Sequence, residues 1–445
     1  MPADYGLIAS HFARAHWRAR TLRGAALERF QDDRARKIVA FARRHSAYYA
    51  RRLAPFRDDQ WRDVPPIGKP EMMANFSDFN TAGVGLDEAM ATALQAEASR
   101  DFMPTVRGLT VGLSSGTSGH RGLFLVHRRE QAAWAGLMLG RALPNLRLKG
   151  YRVALFLRSN SNLYERLGSR WISFRYFDLM TPLEEAIDQL NGYVPDILAG
   201  PPSLLGLLAD ARERGALRYA PGTIISAAEV LEPQDRARIE SVFQQPVHQI
   251  YQCTEGLLAI SCRHGRLHIQ EDLAAIQMER LPAEAEEHGS RFTPVVTDLW
   301  RRTQPIIRYR MNDVLTLDAD ECPCGSGFRV IAQIEGRCDD ILYFHREAGG
   351  TRTFFPDSIR RMALLAHGKI EDYQAFQREP GELTLHLLTA SEAFDDVACA
   401  VREMVQRTLA RYGCRPARLS IEFGLPAGPC DRKRRRVQRL YEGTL

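Results

Sequence analysis

Residues 113–122 read LSSGTSGHRG, a loop in which glycines and hydroxyl side chains crowd together directly after an apolar run. Backbone N–H groups that glycine leaves accessible can converge on an anion, and serine or threonine hydroxyls add further donors. Such a loop suits phosphate, and the residues that would bind it are Ser114, Ser115, Gly116, Thr117, Ser118 and Gly119. Because glycine and serine are also the commonest turn residues, a flexible surface turn is the alternative.

A second polar segment, YQCTEG at 251–256, follows an apolar run and comes shortly after SAAE at 226–229. In an open α/β sheet, residues at strand ends project into the crevice where ligands bind. Tyr251 would stack on a base, Thr254 would contact a phosphate, and Glu255 would hold a magnesium ion that bridges phosphate oxygens. Taken singly, Thr254 is equally suited to a helix cap and Glu255 to a solvated surface position.

Two further segments, IIRYRMND at 306–313 and IEGRCDD at 334–340, combine carboxylates with arginines. Asp313 suits a ribose diol, because a carboxylate can accept two hydroxyl hydrogen bonds, and Arg337 could then approach a phosphate. The alternative is an ordinary surface ion pair between Arg337 and Asp339, worth less than ~1 kcal/mol.

The cysteines and histidines suggest a metal site. Thiolate and imidazole ligands in a closed set of four are the usual arrangement of structural zinc. Two pairs fit this pattern, although their spacing is not that of a common zinc finger: Cys262 with His268, and Cys322 with Cys324. The alternative is four unrelated reduced residues, and His264 or Cys253 could also enter a ligand set.

Composition indicates a soluble globular protein of more than one domain. The chain has 445 residues, of which 45% are hydrophobic and 26% charged. A single core stops growing near ~250–300 residues, so two or more domains are expected. Neither a signal peptide nor a membrane-spanning run is recognisable, so a cytoplasmic location without membrane contact is expected. Eight cysteines in this setting indicate reduced thiols or metal ligands rather than disulfides.

The net charge of +6 does not by itself imply nucleic acid. Basic residues are spread along the chain, and the only dense run is 432–436 near the C-terminus. We therefore expect no nucleic-acid partner.

The apolar pattern predicts a parallel or mixed sheet covered by helices. Helical spacing predicts a helix over 25–53, followed by a proline-containing joint at 63–70. Short apolar runs then alternate with helical stretches, which predicts an α/β architecture. The predicted strands are 153–157, 196–199, 223–226 and 248–251, and the predicted helices between them are 203–214 and 232–243.

The order of these segments resembles the core motifs of the adenylate-forming superfamily of acyl-CoA synthetases and adenylation domains. The motifs run SSGTSG, AAE, YQCTEG, IRYRMND and GRCDD, followed by a basic tail. Within it, the chain more closely resembles the branch of phenylacetate-CoA ligases and coenzyme F390 synthetase-like proteins, from about residue 41 to the C-terminus. Several members of that branch carry structural zinc on a matching Cys/His pattern, so the resemblance supports zinc at the four residues above and makes Cys253 a pocket residue.

The resemblance implies a large N-terminal domain of mixed sheets covered by helices (1–335) and a small, mobile α+β lid domain (336–445). It implies activation of a carboxylate by ATP and Mg²⁺ to an acyl adenylate, with release of pyrophosphate. The glycine-rich loop would hold the β- and γ-phosphates, and Thr254 and Arg337 would act at the reacting phosphates. Glu229 and Tyr251 would border the adenine, and Asp313 would bind the ribose.

A lysine from the lid is expected over the adenylate. Of the two lysines after residue 336, Lys433 fits the pattern of a lysine four residues before a valine. The lid would swing about a hinge near Asp339 for the second step. The first loop departs from the common pattern: His120 and Arg121 stand where many members have Lys-Pro, so Arg121 is a candidate replacement for the missing lysine.

The acid and its acceptor are less closely defined. Ser159, Asn160 and Tyr164 are candidates for the acid pocket together with Cys253, and an aromatic acid is expected because the branch uses aryl acids. The acceptor would be the thiol of coenzyme A or of an acyl carrier protein, with an amine as the alternative. A homodimer is a further expectation. The alternatives are a degenerate relative that binds nucleotide without catalysis, a kinase-like phosphotransferase and a zinc-containing nucleic-acid-binding protein.

Overall fold

The computed structural model describes residues 5–99, 101, 103–114, 121–143, 150–157, 172–179, 181–281, 291–426 and 435–441. The chain divides into two compact units. The first comprises 1–278, 295–311 and 317–332, and the second comprises 279–294, 312–316 and 333–445. None of the helices formed by the described residues is long and apolar enough to cross a membrane.

The first unit begins with a run of helices. The α-helices formed by its described residues are α1 (Tyr5–Thr21), α2 (Gly24–His45), α3 (Ala47–Arg52), α4 (Lys69–Ala74), α5 (Phe76–Phe79), α6 (Leu86–Ser99), α7 (Arg128–Ala142), α8 (Leu183–Tyr193), α9 (Pro202–Glu213) and α10 (Pro233–Phe243). The single helix predicted over 25–53 is wrong, because the chain is extended at Ser46. There the serine hydroxyl accepts a hydrogen bond from Tyr49 N at 3.2 Å and so caps α3.

Strands alternate with the later helices, as the apolar pattern predicts. They are β1 (Thr105–Val106), β2 (Leu109–Leu113), β3 (Leu123–Val126), β4 (Tyr151–Leu157), β5 (Ile172–Asp178), β6 (Ile197–Gly200), β7 (Thr223–Ala227), β8 (Val247–Cys253), β9 (Gly256–Ser261), β10 (Leu267–Ile269), β11 (Ala274–Arg280), β12 (Arg291–Asp298), β13 (Tyr309–Arg310), β14 (Asp313–Leu317) and β15 (Val330–Arg337). The first three form a small antiparallel sheet with β3 at its edge.

The large sheet of the first unit has the strand order β5-β4-β6-β7-β8-β9-β10-β15. The strands β5, β4, β6, β7 and β8 run parallel to one another, and β9 runs antiparallel to β8. Every residue of β6 is buried, as expected for a parallel strand covered on both faces. Helices α8, α9 and α10 pack on one face through Leu190, Leu208 and Phe243. The carboxyl ends of the parallel strands therefore share one edge, and the polar segments after β7 and β8 lie there.

The second unit contains an α+β core. Its later elements are β16 (Leu342–His345), β17 (Thr351–Phe354), α11 (Pro356–Leu364), β18 (Asp372–Gln377), β19 (Glu382–Leu388), α12 (Phe394–Arg411), β20 (Arg418–Phe423) and β21 (Val437–Arg439). The sheet order is β20-β19-β18-β21. Val397, Val401 and Val405 recur every four residues on the buried side of α12 and fill this core. The α/β class and the α+β character of the C-terminal part are confirmed, while the boundary at 335/336 and the lid motion stay predictions.

Candidate active site and candidate metal centre

Residues 253–256 form a tight turn between β8 and β9, in which Cys253 pairs with Gly256 across the hairpin. The turn is held from within, because the Thr254 hydroxyl donates to Glu255 Oε2 at 2.8 Å. Glu255 is only 6% exposed, although it is a carboxylate. Gly256 has a φ of +156°, and a Cβ there would lie 3.4 Å from Asp298 Oδ2. The turn thus brings a buried carboxylate and a hydroxyl together at the end of a parallel strand.

Glu229 and Tyr251 lie in the same unit, after β7 and within β8. Glu229 Oε2 accepts a hydrogen bond from Ser203 N at the start of α9, at 3.4 Å. The preceding residue, Ala228, has a φ of +72°, a left-handed conformation that is uncommon for a residue with a side chain. Tyr251 is half-buried and pairs with Ala259, next to an irregularity in the β8–β9 ladder. Glu229 thus follows its strand as the sequence predicts, whereas Tyr251 lies within β8, two residues before its end.

Ser114 closes the base of the glycine-rich loop. Ser114 N donates to Gly122 O at 2.7 Å, and Gly122 N donates to Ser114 Oγ at 2.7 Å. These reciprocal bonds fix the two ends of the loop against each other. The remaining loop residues of the prediction lie outside the described part of the chain: Ser115, Gly116, Thr117, Ser118 and Gly119.

Lys69 lies next to this loop, a contact that the sequence did not predict. Lys69 Nζ lies 3.4 Å from Ser114 Oγ, and the lysine occupies the first position of α4. Arg121, the predicted replacement for a lysine, instead forms a paired contact with Glu97, with Arg121 Nη1 at 2.6 Å from Glu97 Oε2. Glu97 therefore offsets much of the positive charge of Arg121. Lys69 stands in the tripeptide Gly-Lys-Pro, and nothing in that tripeptide indicates a contact with a serine 45 residues later.

Asp313 and Arg337 come together in the second unit. Arg337 Nε lies 3.7 Å from Asp313 Oδ1, and their side chains are 29% and 17% exposed. Arg337 thus pairs with a residue 24 positions earlier in the chain. The residue predicted to bind the ribose and the residue predicted to approach a phosphate are therefore close together in space.

The arginines near the C-terminus are tied into the second unit. Arg435 bonds to Asp340, which is 5% exposed, and Arg436 Nε donates to Asp372 Oδ1 at 2.8 Å. These two arginines are therefore not part of a solvated basic tail. Lys433, and the pocket candidates Ser159, Asn160 and Tyr164, lie outside the described residues. Cys253, the fourth pocket candidate, is half-buried, and its thiol lies 3.5 Å from Gly256 O.

The four predicted metal ligands meet within the first unit. The ligand atoms of Cys262, His268, Cys322 and Cys324 all lie within 4.8 Å of one another. Cys262 Sγ is 3.6 Å from Cys322 Sγ, and Cys324 Sγ is 3.4 Å from His268 Nε2. Zinc–sulfur bonds of about 2.3 Å imply sulfur–sulfur edges of about 3.8 Å in a tetrahedron. The separations therefore fit one small cation held by all four residues.

Surrounding hydrogen bonds orient these ligands. His268 Nδ1 bonds Phe328 O at 2.9 Å, which leaves Nε2 facing the thiols. His264 N donates to Cys262 Sγ and Ser326 N donates to Cys324 Sγ, each at 3.4 Å. Burial lowers the pKa of His268, so its imidazole is neutral at pH 7, as a metal ligand requires. Burial also raises the pKa of the Cys262 thiol to about 11.

Comparisons by sequence find a relative that matches part of the chain. No model of a known protein family matches the chain. Protein CapK of Staphylococcus aureus is 24% identical over 259 residues, which are 57% of this chain and 55% of that protein. The chain therefore spans about half the length of the curated relative that it matches.

Solved ligases share the fold over most of the chain. A 2-hydroxyisobutyryl-CoA ligase in complex with 2-HIB-AMP has a TM-score of 0.68 and 20% identity, covering 95% of this chain and 91% of that one. An acyl acid amido synthetase has a TM-score of 0.59 and 12% identity, covering 89% and 86%. The chain thus has the fold of acyl-AMP-forming ligases, and the fold that the sequence resemblance implied is confirmed.

Proposed function

We propose that this chain activates a carboxylic acid with ATP, forming an acyl adenylate and pyrophosphate, and then passes the acyl group to a thiol. The observation that carries this proposal is the turn at 253–256, where buried Glu255 and Thr254 lie together at the carboxyl end of β8. That edge of a parallel sheet is where α/β proteins bind ligands, and the fold is shared with acyl-AMP-forming ligases.

In the first step, a carboxylate oxygen of the acid attacks the α-phosphorus of ATP, and the bond to the bridging oxygen of pyrophosphate breaks. Catalysis of such a step depends on positioning the two reactants and on offsetting the negative charge of the phosphate oxygens. The Thr254 hydroxyl would donate to an α-phosphate oxygen as negative charge develops there. Glu255 suits magnesium as a hard oxygen ligand, and the bound ion would offset the charge on the phosphate oxygens.

Ser114 and the loop that follows it would bind the β- and γ-phosphates. Lys69 adds an ammonium group next to Ser114 Oγ, where it could offset the charge of the departing pyrophosphate. We assign that role to Lys69 rather than to Arg121, because Glu97 already pairs with the arginine.

Further roles in this proposal come from the family resemblance alone. Glu229 and Tyr251 would border the adenine, and Asp313 would bind the ribose hydroxyls. Lys433 and Arg337 would stabilise charge on the α-phosphate and the attacking carboxylate. In the second step a thiolate attacks the acyl carbon and AMP leaves.

The finer assignments come from the family resemblance. We propose an aromatic acid, bound among Ser159, Asn160, Tyr164 and Cys253, and a thiol acceptor on coenzyme A or an acyl carrier protein. The neighbour of highest structural similarity named above carries an aliphatic hydroxy acid as its adenylate, so both acid classes belong in the test.

The Cys/His cluster is proposed to hold structural zinc. The four donors form a closed set, which leaves no position for a substrate. Zinc there would join the β9–β10 hairpin, which carries Cys262 and His268, to the loop that carries Cys322 and Cys324. The part of the sheet formed by β9, β10 and β15 would thereby be stabilised.

Isotope exchange between pyrophosphate and ATP tests the function directly. The purified chain is assayed with Mg²⁺ across benzoates, phenylacetates, cinnamates, short fatty acids and 2-hydroxy acids. We expect label to enter ATP only with a matching acid, and the strongest signal with an aromatic one. ADP release would indicate a kinase, and no exchange with any acid would refute acid activation. Exchange confined to aliphatic acids would refute only the aromatic assignment.

A further inference from the structure

The loop at 299–305 joins two parts of the candidate site that the sequence keeps far apart. One part is the strand β3, which leaves the glycine-rich loop, and the other is the turn at 253–256 that carries Glu255. Both belong to the first unit, and the loop's side chains hydrogen bond to the backbone of each. We call Arg301 and Gln304 of this loop the clasp.

Arg301 contacts both parts with one guanidinium group. Its Nη1 donates to Thr254 O at 2.6 Å, and its Nη2 donates to Leu125 O at 3.2 Å. The planar fork of arginine can reach two carbonyls in fixed directions, which the single ammonium group of lysine cannot reproduce. The backbone of Arg301 is also held, because its N–H donates to Asp298 Oδ1 at 2.8 Å.

Gln304 completes the clasp at the edge of the small sheet. Its Oε1 accepts from Leu125 N at 2.9 Å, and its Nε2 donates to Leu123 O at 3.2 Å. Among the described residues β3 is an edge strand, and this side chain bonds backbone groups on the side of β3 that faces away from β2. Arg301 Nη2 also donates to Gln304 Oε1 at 3.2 Å, and Gln304 is only 1% exposed. The two side chains therefore act as one hydrogen-bonded unit.

We propose that the clasp positions β3, the strand that follows the glycine-rich loop, relative to the turn at 253–256. Arg301 and Gln304 would be positioning residues, acting through Thr254, Leu123 and Leu125 without touching substrate. This inference rests on the proposed function, in which the α-phosphate and the β- and γ-phosphates must be held at a set separation. A displacement of either part by 1 Å would misalign the attack on the α-phosphorus.

The neighbouring Arg302 provides a matched control. Arg302 is exposed, and its guanidinium lies over the ring of Phe41 at 4.8 Å. Its backbone N–H donates to Glu130 Oε1 at 2.6 Å, and that bond survives a change of side chain. Arg301→Lys and Arg302→Lys therefore remove the same chemical group one residue apart.

Pyrophosphate exchange on the full chain tests the positioning role. For Arg301→Lys we expect kcat to fall tenfold or more and the Mg²⁺ concentration at half-maximal rate to rise at least threefold. We also expect added guanidinium to restore part of the rate of Arg301→Ala. Arg302→Lys should match the wild type. If Arg301→Lys keeps its melting temperature and its rate and Mg²⁺ dependence stay within twofold of wild type, the inference is wrong.

Hydrogen exchange separates this inference from the function itself. Gln304→Leu removes the acceptor of Leu125 N, so that amide should exchange at least tenfold faster. Arg301→Lys should speed exchange in peptides covering 121–127 and 253–257, and Arg302→Lys should not. If exchange in these peptides is unchanged, the clasp is refuted whatever the enzyme does. If they respond but wild type catalyses no pyrophosphate exchange, the clasp stands and the proposed function fails.

Discussion

Replacing Cys322 by serine is expected to remove bound zinc and to lower thermal stability without abolishing a chemical step. Cys322 is 9% exposed, and its sulfur lies 3.6 Å from that of Cys262. A serine hydroxyl has a shorter bond to carbon and is a poor zinc ligand at neutral pH, so it cannot complete the tetrahedron. The site would retain three of its four ligands.

The size of the effect follows from binding linkage. At free zinc about 100 times the dissociation constant, binding stabilises the native state by about 2.7 kcal/mol. For a unit of about 310 residues, 1 kcal/mol corresponds to about 1.5 °C in melting temperature. Loss of zinc should therefore lower the melting temperature by roughly 4 °C. The site would add a link between two cysteine-bearing segments that are 60 residues apart in the chain.

The assay compares metal content and melting temperature. Wild type is expected to hold one zinc per chain by elemental analysis after dialysis, and a strong chelator should lower its melting temperature to that of Cys322→Ser. Cys399→Ser is the matched control, because Cys399 is an exposed cysteine on α12. A wild type that neither contains nor binds zinc would remove the site. A Cys322→Ser variant that keeps one zinc and melts as wild type would refute the ligand assignment.

Three further predictions concern the active site, each measured by pyrophosphate exchange. Glu255→Gln keeps the shape of the turn but loses the magnesium ligand, so the rate should fall about 100-fold, and an unchanged Mg²⁺ dependence would contradict its role. Lys69→Met should raise the KM for ATP about tenfold because an ammonium group next to Ser114 is lost, and an unaltered KM would exclude Lys69 from phosphate binding. Lys433→Ala should lower adenylation by orders of magnitude while ATP binding persists, because its charge would act mainly in the transition state. Rates equal to wild type would remove that assignment.

Much of the fold and of the metal site could be predicted from the sequence. The strands around Ala199 and Ile225 read as short apolar runs because they are buried on both faces. A helix of about the expected length follows each of them. The four Cys/His ligands are recognisable by residue type, since few other side chains bind zinc. The break at Ser46 was missed because the apolar spacing continues across it, while the cap depends on a backbone turn.

The partners of charged side chains were harder to predict. Arg121 could have faced phosphate or a carboxylate, and only the position of α6 brings Glu97 to it. Likewise, the sequence left open which carboxylate Arg337 would meet, and the structure places Asp313 Oδ1 3.7 Å from Arg337 Nε. Such choices depend on packing between distant elements, and local spacing carries no information about them.

The sequence by itself determined the chemistry that is available: a glycine-rich loop, a Thr-Glu turn after an apolar strand, and four metal-binding side chains. These features are local, because residue type sets donors, acceptors and turn geometry within a few positions. The tertiary structure decided which groups meet. It brought Lys69 to Ser114 across 45 residues and Arg301 to Thr254 across 47. These contacts exist only because the sheets and helices pack in one arrangement, which places hydrogen-bonding groups from distant segments within reach of one another.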